Sequence, residues 1–236
     1  MAIRVVFVPG FMQRGSAWAP VADLLGERYP SALLDHREHD FEGRLREIAS
    51  AARGAVVCGY SLGGRLALHA AAREPSLFAG LVTVGASAGI EEAAARAARL
   101  GADERLAAWM EGASIEDVVA LWEREPLFAD QADSLVEAQR VGRLSHDPRE
   151  LASLLRSAGQ GALEPVWRRL TELDQLPVLA IAGARDERYA AAARRLAELT
   201  PLGRAELVEH AGHAPQLQRP ERVAALLAEF LDRHLS

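Results

Sequence analysis

Lysine and asparagine are absent from the 236-residue chain, so all 27 of its basic residues are arginine. Without lysine there is no P-loop lysine, no pyridoxal or other Schiff base, and no kinase-type lysine to pair with phosphates. Serine, histidine, aspartate, glutamate and arginine carry whatever chemistry remains. Cys58 is the one cysteine, which excludes an intrachain disulfide and a cysteine-based zinc site. A reducing cytoplasm is the simplest compartment for such a chain. Positive charge is also in deficit: the formal net charge of -6 argues against nucleic-acid binding, because a phosphate backbone is held by surplus cations. An anionic ligand must therefore be met locally. Long apolar runs are missing too. The N-terminal stretch 3–8 (IRVVFV) is too short for a membrane span or the apolar part of a signal peptide, so no membrane association is expected. The expected partner is a small molecule, and the sequence is silent on oligomeric state.

Half of the residues are hydrophobic and a quarter charged, as in one soluble α/β domain. The run at 3–8, ended by Pro9-Gly10, has the profile of a buried parallel strand. Similar runs recur at 32–34, 55–58, 81–84, 178–182 and 205–208, separated by stretches of helical character. This alternation predicts a mostly parallel sheet of about six strands with flanking helices. It breaks between 89 and 170, where no strand is evident. There Ser114 and Asp117 form a capping-box-like start, followed by Ile115, Val118, Val119 and Trp122 at helical spacing. The reading is a core of 1–88 and 171–236 with a helical lid, 89–170, inserted in the same domain. After Pro220, Val223, Leu226, Leu227, Phe230 and Leu231 form one apolar helical stripe.

Gly59-Tyr60-Ser61-Leu62-Gly63 fits G-x-S-x-G, in which a tight strand-to-helix turn exposes a serine hydroxyl above a sheet. The apolar run AVVC precedes it and a helical pattern at 62–72 follows. A serine of ordinary pKa needs a histidine to take its proton and a carboxylate to orient that histidine. In this kind of sheet the chain order is serine, acid, histidine. Asp186 follows the run VLAIAGAR and His213 follows AELVEHAG, both at strand ends where open α/β sheets place their sites. His210 is the rival base, but it sits at the strand's end while Ala211-Gly212 turns the chain outward. Glu187 is the alternative acid. His36, His39, His69, His146 and His234 read as surface or satisfied core residues, and no metal site is indicated. The backbone N–H groups of Leu62 and Phe11 are the expected donors to a developing oxyanion. Arg65 lies one helical turn past Ser61, and Arg99 and Arg143 fall in the insertion; together the three could form a carboxylate pocket.

GYSLGGR at 59–65, PLF at 126–128, LLRSAGQG at 154–161 and AGARDERY at 182–189 resemble the 2-succinyl-6-hydroxy-2,4-cyclohexadiene-1-carboxylate (SHCHC) synthases of menaquinone biosynthesis. Those enzymes have the α/β-hydrolase fold and eliminate pyruvate from a cyclohexene intermediate. The resemblance implies a cofactor-free lyase in which Ser61, Asp186 and His213 act as a general-base triad. It implies that Arg65, Arg99 and Arg143 hold substrate carboxylates, and that Tyr60 and Trp18 belong to the substrate site. Three segments depart from the family. Pro9-Gly10-Phe11 stands where the family has His-Gly-Phe, His36-Arg37-Glu38-His39 replaces a Pro-Gly-His-Gly pattern, and Ala214 to Pro220 lacks a second histidine and an Asn-Pro pair. Two other readings of the same residues are an ester hydrolase working through an acyl-serine, and a ligand-binding protein without turnover.

Overall fold

The computed structural model describes residues 3 to 235. Six strands, β1 (Val5–Val8), β2 (Ser31–Leu33), β3 (Val56–Tyr60), β4 (Gly80–Val84), β5 (Val178–Gly183) and β6 (Gly203–Val208), form one sheet in the order β2-β1-β3-β4-β5-β6. Every neighbouring pair is parallel. Strands β1, β3, β4 and β5 are buried along their whole length, which is why they read as unbroken apolar runs.

Alternate side chains of each strand go to opposite faces. Val6, Val8, Val57, Leu81, Val178 and Ala180 pack with helices α2 (Phe41–Ala51), α3 (Leu62–Arg73) and α8 (Glu187–Leu199). Val5, Phe7, Val56, Cys58, Val82 and Leu179 pack on the other face with α1 (Ala19–Leu25) and α10 (Pro220–Leu235). The apolar stripe of α10 is buried as expected, with Val223, Leu226, Leu227, Phe230 and Leu231 all within this layer. Each such side chain contributes about 1.5–3 kcal/mol of burial.

Between β4 and β5 the chain makes helices α4 (Ala93–Met110), α5 (Ile115–Trp122), α6 (Asp133–Leu144) and α7 (Pro148–Ala158), with no strand among the described residues. Ser114 caps α5 by accepting from the Asp117 N–H. Met110, Val118, Val119, Leu151 and Leu155 give the insertion a small core of its own, which also receives Met12 from the loop after β1.

The strand boundaries differ from expectation most usefully at β3, which runs on to Tyr60 because Gly59 and Tyr60 pair with Thr83 and Val84 of β4. Two of the five residues of the G-x-S-x-G motif are thus strand. Ser61 alone makes the turn, at φ 49° and ψ -110°, and α3 starts at Leu62. The motif's glycines are required by contact. A Cβ on Gly59 would lie 2.4 Å from the Gly63 carbonyl carbon, and one on Gly63 would lie 2.5 Å from the Pro9 carbonyl oxygen. Both obstacles are backbone, which cannot rotate away. Gly63→Ala is therefore expected to destabilise the protein by roughly 2–3 kcal/mol or more through overpacking, read as a lower denaturation midpoint. A stability equal to the parent's would refute this account of the turn.

Candidate active site

β1 and β3 are neighbours at the point where strand order reverses, and a crevice opens beyond the carboxyl ends of such a pair. The loop after β1 and the turn after β3 meet there. Ser61 sits at the N-terminus of α3 without capping it, so its hydroxyl is free for another partner. That partner is His213, whose Nε2 lies 3.1 Å from the Ser61 Oγ. On the far side of the ring, His213 Nδ1 is 2.8 Å from Asp186 Oδ2. Asp186 is the N-cap of α8 and its Oδ1 accepts from the Tyr189 N–H, so one carboxylate oxygen faces the imidazole while the other is held by the helix.

His213 is buried among the rings of Tyr189 (4.5 Å between centroids), Tyr60 (5.4 Å) and Phe128 (6.2 Å). Its backbone is seated on Gly85, where a Cβ would come within 2.7 Å of the His213 carbonyl oxygen. The rival His210 is exposed. At φ 59° it supplies the left-handed step that turns the chain into the loop. A serine hydroxyl bonded to an imidazole that faces a carboxylate can release its proton to that imidazole, and the carboxylate steadies the imidazolium. The N–H groups of Phe11 and Leu62 meet no protein acceptor among the described residues, so both are available to a ligand oxygen.

Two cavities share Ser61, Phe11, Trp122 and Leu127 as walls. The larger, about 680 Å³, is completed by Arg65, Arg99, Arg188, Gln160 and Tyr189; the smaller, about 330 Å³, by Gln13, Tyr60, Phe128, Gln139 and Arg143. Arg65 is buried, and its Nε and Nη1 have no partner among the described residues. Desolvation lowers its pKa to about 10. Arg99 is held by Asp103, Nε to Oδ1 at 2.7 Å. Arg143 is buried with Glu123 at 3.1 Å and the Gln139 Oε1 at 3.0 Å, leaving Nε bare. Burial also raises the Tyr60 phenol well above its usual range.

Trp18 is not at the site. It is wholly buried on the α1 face of the sheet, stacked 4.8 Å from Phe7, with its Nε1 donating to the Val8 carbonyl. An indole beside a buried apolar strand is drawn into the core, and a single hydrogen bond to the strand end satisfies its N–H. Three histidines also depart from the expectation of satisfied residues, since the Nε2 atoms of His36, His69 and His146 are buried without partners. Other wall residues escaped the sequence reading. Tyr189, Gln160 and Phe128 lay inside the motifs that carried the resemblance, while Trp122 was legible only as one apolar position of α5. Arg188 likewise lay in the 182–189 motif, whereas Gln13 and Gln139 gave no signal. Among the described residues no cluster of metal-ligating side chains occurs, and no helix is long and apolar enough to cross a membrane.

The fold and the crevice define a class. The sequence profile of the alpha/beta hydrolase family matches residues 5–226, and the chain belongs to that family. Within it, the chain is 29% identical to the 2-succinyl-6-hydroxy-2,4-cyclohexadiene-1-carboxylate synthase of Klebsiella pneumoniae subsp. pneumoniae over 96% of this chain and 93% of that one. A Bacillus subtilis protein that carries the same name provisionally is 34% identical, over 89% of this chain and 79% of its own. Among solved structures, MenH from S. aureus superposes with a TM-score of 0.93 at 25% identity, covering 100% of this chain and 96% of that one. A thermophilic esterase from Thermogutta terrifontis shares the fold, with a TM-score of 0.77 at 21% identity over 99% of this chain and 91% of that one.

Burial lowers the pKa of His36, His69 and His146 to about 4, and nearby arginines push in the same direction. Between about pH 6.5 and 4 the unfolded chain binds protons that the folded chain refuses, so stability is fully present above this window and falls as pH falls through it. Denaturant titrations at pH 7 and 4.5 should show that loss. The variant His69→Leu should show a smaller difference between the two pH values, and an unchanged difference would remove His69 from the account.

Proposed function

We propose that the protein is a cofactor-free lyase of the SHCHC synthase type, acting in the cytoplasm on a carboxylated cyclohexene and releasing pyruvate. The observation that carries the reading is Arg65, a buried guanidinium with two bare nitrogens that shares a cavity wall with Ser61. A buried cation without a counter-ion is costly, and a carboxylate supplies the missing charge and two parallel hydrogen bonds. The kinship with named synthases over nearly the whole chain supports the same substrate class.

In this mechanism His213 takes the Ser61 proton, and Asp186 holds the imidazole in the tautomer that can accept it. The serine oxygen removes a proton from substrate carbon. The electron pair left behind forms the new ring double bond, and the carbon–oxygen bond to the pyruvyl group breaks. The departing enolate takes up a proton to become pyruvate. Charge that develops on oxygen is met by the N–H groups of Phe11 and Leu62. Arg65 and Arg99 hold carboxylates in the larger cavity and Arg143 in the smaller, with Tyr60 as part of its wall. The helical insertion acts as a lid that supplies two of these arginines.

Ser61→Ala is expected to lower pyruvate release by at least about a thousandfold while substrate affinity changes little, since triad residues act as a unit. Arg65→Ala is expected to raise KM more than tenfold, because it removes a charge-assisted pair. The assay is pyruvate release from the cyclohexene intermediate, run beside a panel of short neutral esters. Fast ester turnover without pyruvate release would replace the lyase reading with a hydrolase that forms an acyl-serine.

A further inference from the structure

The loop after β1 carries the Phe11 N–H but little that would hold it still. Pro9 brings neither an N–H nor a polar side chain. Met12, three residues before the helical turn Gly15–Trp18, adopts φ 56°, which a non-glycine residue enters only at a cost. Met12's side chain is buried in the core of the helical insertion, so the strained turn is anchored on one side. On the other side the turn is closed by Gln13, twice. Its backbone N–H donates to the Gly10 carbonyl at 3.3 Å, and its side-chain Oε1 accepts from the Gly10 N–H at 3.3 Å. The second bond is the one side-chain hydrogen bond within 9–13 among the described residues. Gly10 itself is pressed on the Tyr60 ring, where a Cβ would lie 2.7 Å from Cδ1. Gln13 also lines the smaller cavity with Ser61, Phe11 and Tyr60.

We propose that Gln13 is a positioning residue for the oxyanion loop: its side-chain carbonyl locks the Gly10–Gln13 turn and thereby fixes the direction of the intervening Phe11 N–H toward the oxygen at Ser61. The inference rests on the reading of Phe11 as an oxyanion donor. It accounts for how a loop with proline at position 9 can present a fixed donor. An oxyanion donor is worth about a hundred- to a thousandfold in rate when wholly removed, so loosening one is a smaller effect of about tenfold.

The test uses the whole protein and two readouts. One is labelling of Ser61 by a neutral alkyl fluorophosphonate. The serine oxygen bonds to phosphorus, fluoride leaves with the P–F bond, the serine proton passes to His213, and the phosphoryl oxygen gains charge in the transition state. The other is pyruvate release. Gln13→Ala and Gln13→Met are each expected to slow labelling about tenfold, with kcat for pyruvate falling equally, KM within about threefold of the parent, and amide exchange at Gly10 accelerated. Methionine keeps the length of glutamine without its acceptor. If Gln13→Met behaves as the parent while Gln13→Ala is slow, the residue only fills space and the proposal fails. It also fails if both label at the parent rate, or if the parent does not label at all. A parent that labels but releases no pyruvate removes the lyase reading and leaves the Gln13 comparison intact.

Discussion

The site depends on the contact between two pieces of backbone, the Gly63 α-carbon and the carbonyl oxygens that end β1. Val8 and Pro9 each present an oxygen within 2.5 Å of where a Gly63 Cβ would lie. This closeness brings the start of α3 directly beside the loop after β1, so that Ser61, Leu62 and Phe11 surround one point in space. Ser61 takes the left-handed turn that the approach demands, and its hydroxyl is consequently turned out of the helix cap. The cost of that backbone conformation is offset by the two faces of the sheet, whose buried layers hold β3 and α3 on either side of the turn. Chemistry at this site is thus a by-product of packing glycine where nothing larger fits.

Arginine is the only permanently cationic side chain in the sequence, and pairing with carboxylates divides the three arginines expected at the site into two kinds. Arg143 is buried with Glu123 at its side, but Glu123 also pairs with Arg140, so the charge of Arg143 is balanced only in part before any ligand arrives. Arg99 is paired as well, with the buried Asp103, but is itself exposed. Arg65 has no such carboxylate, and its fall in pKa is led by burial. Attraction for an anion is strongest where compensation is absent and water is excluded, which makes Arg65 the electrostatic focus of the larger cavity. Arg99 and Arg143 then serve mainly through the direction of their remaining N–H donors. A net negative protein can hold an anionic ligand in this way because the field that matters is local.

Strands β1, β3, β4 and β5 were legible because burial on both faces forces unbroken apolar runs, and the serine, acid and histidine because each follows a strand at the sheet's carboxyl edge. The length of β3 was less so: Gly59 and Tyr60 look like turn in sequence, and only pairing with β4, joined at Gly59 by Val8 of β1, makes them strand. Trp18 illustrates a different limit. A resemblance transfers a residue's identity but not its side-chain direction, and the Phe7 ring and Val8 carbonyl take this indole into the core. His69 looked like a residue that would find partners, yet its Nε2 has none, because burial depends on the rings and helices packed over it, such as Phe41 edge-on at 5.2 Å. Gln13 carries no motif at all. Its significance comes from a turn that only tertiary packing of Met12 makes possible.

The helical insertion is bound to the triad region at two places, and this constrains how the cavities open. A chain of ring contacts runs from Phe11 to Trp122 (5.2 Å), on to Phe128 (5.5 Å) and then to His213 (6.2 Å), joining the loop after β1 to the loop after β6 through α5 and the turn behind it. Beside it, the Gln218 amide donates to Asp130 Oδ2 at 3.1 Å and accepts from the Gly212 N–H at 2.8 Å. The segment from Trp122 to Asp130 therefore touches the backbone next to His213 and the Phe11 ring. Lifting it away would disturb both at once. By contrast, the wall made by α4 and α7 lies beside Arg65 and Tyr189, and Gln160, just past α7, donates at 2.8 Å to the hydroxyl of Tyr189, whose ring is 4.5 Å from His213. The two halves of the insertion thus reach the His213 ring by different routes, one through its own Phe128 and the other through Gln160 and Tyr189.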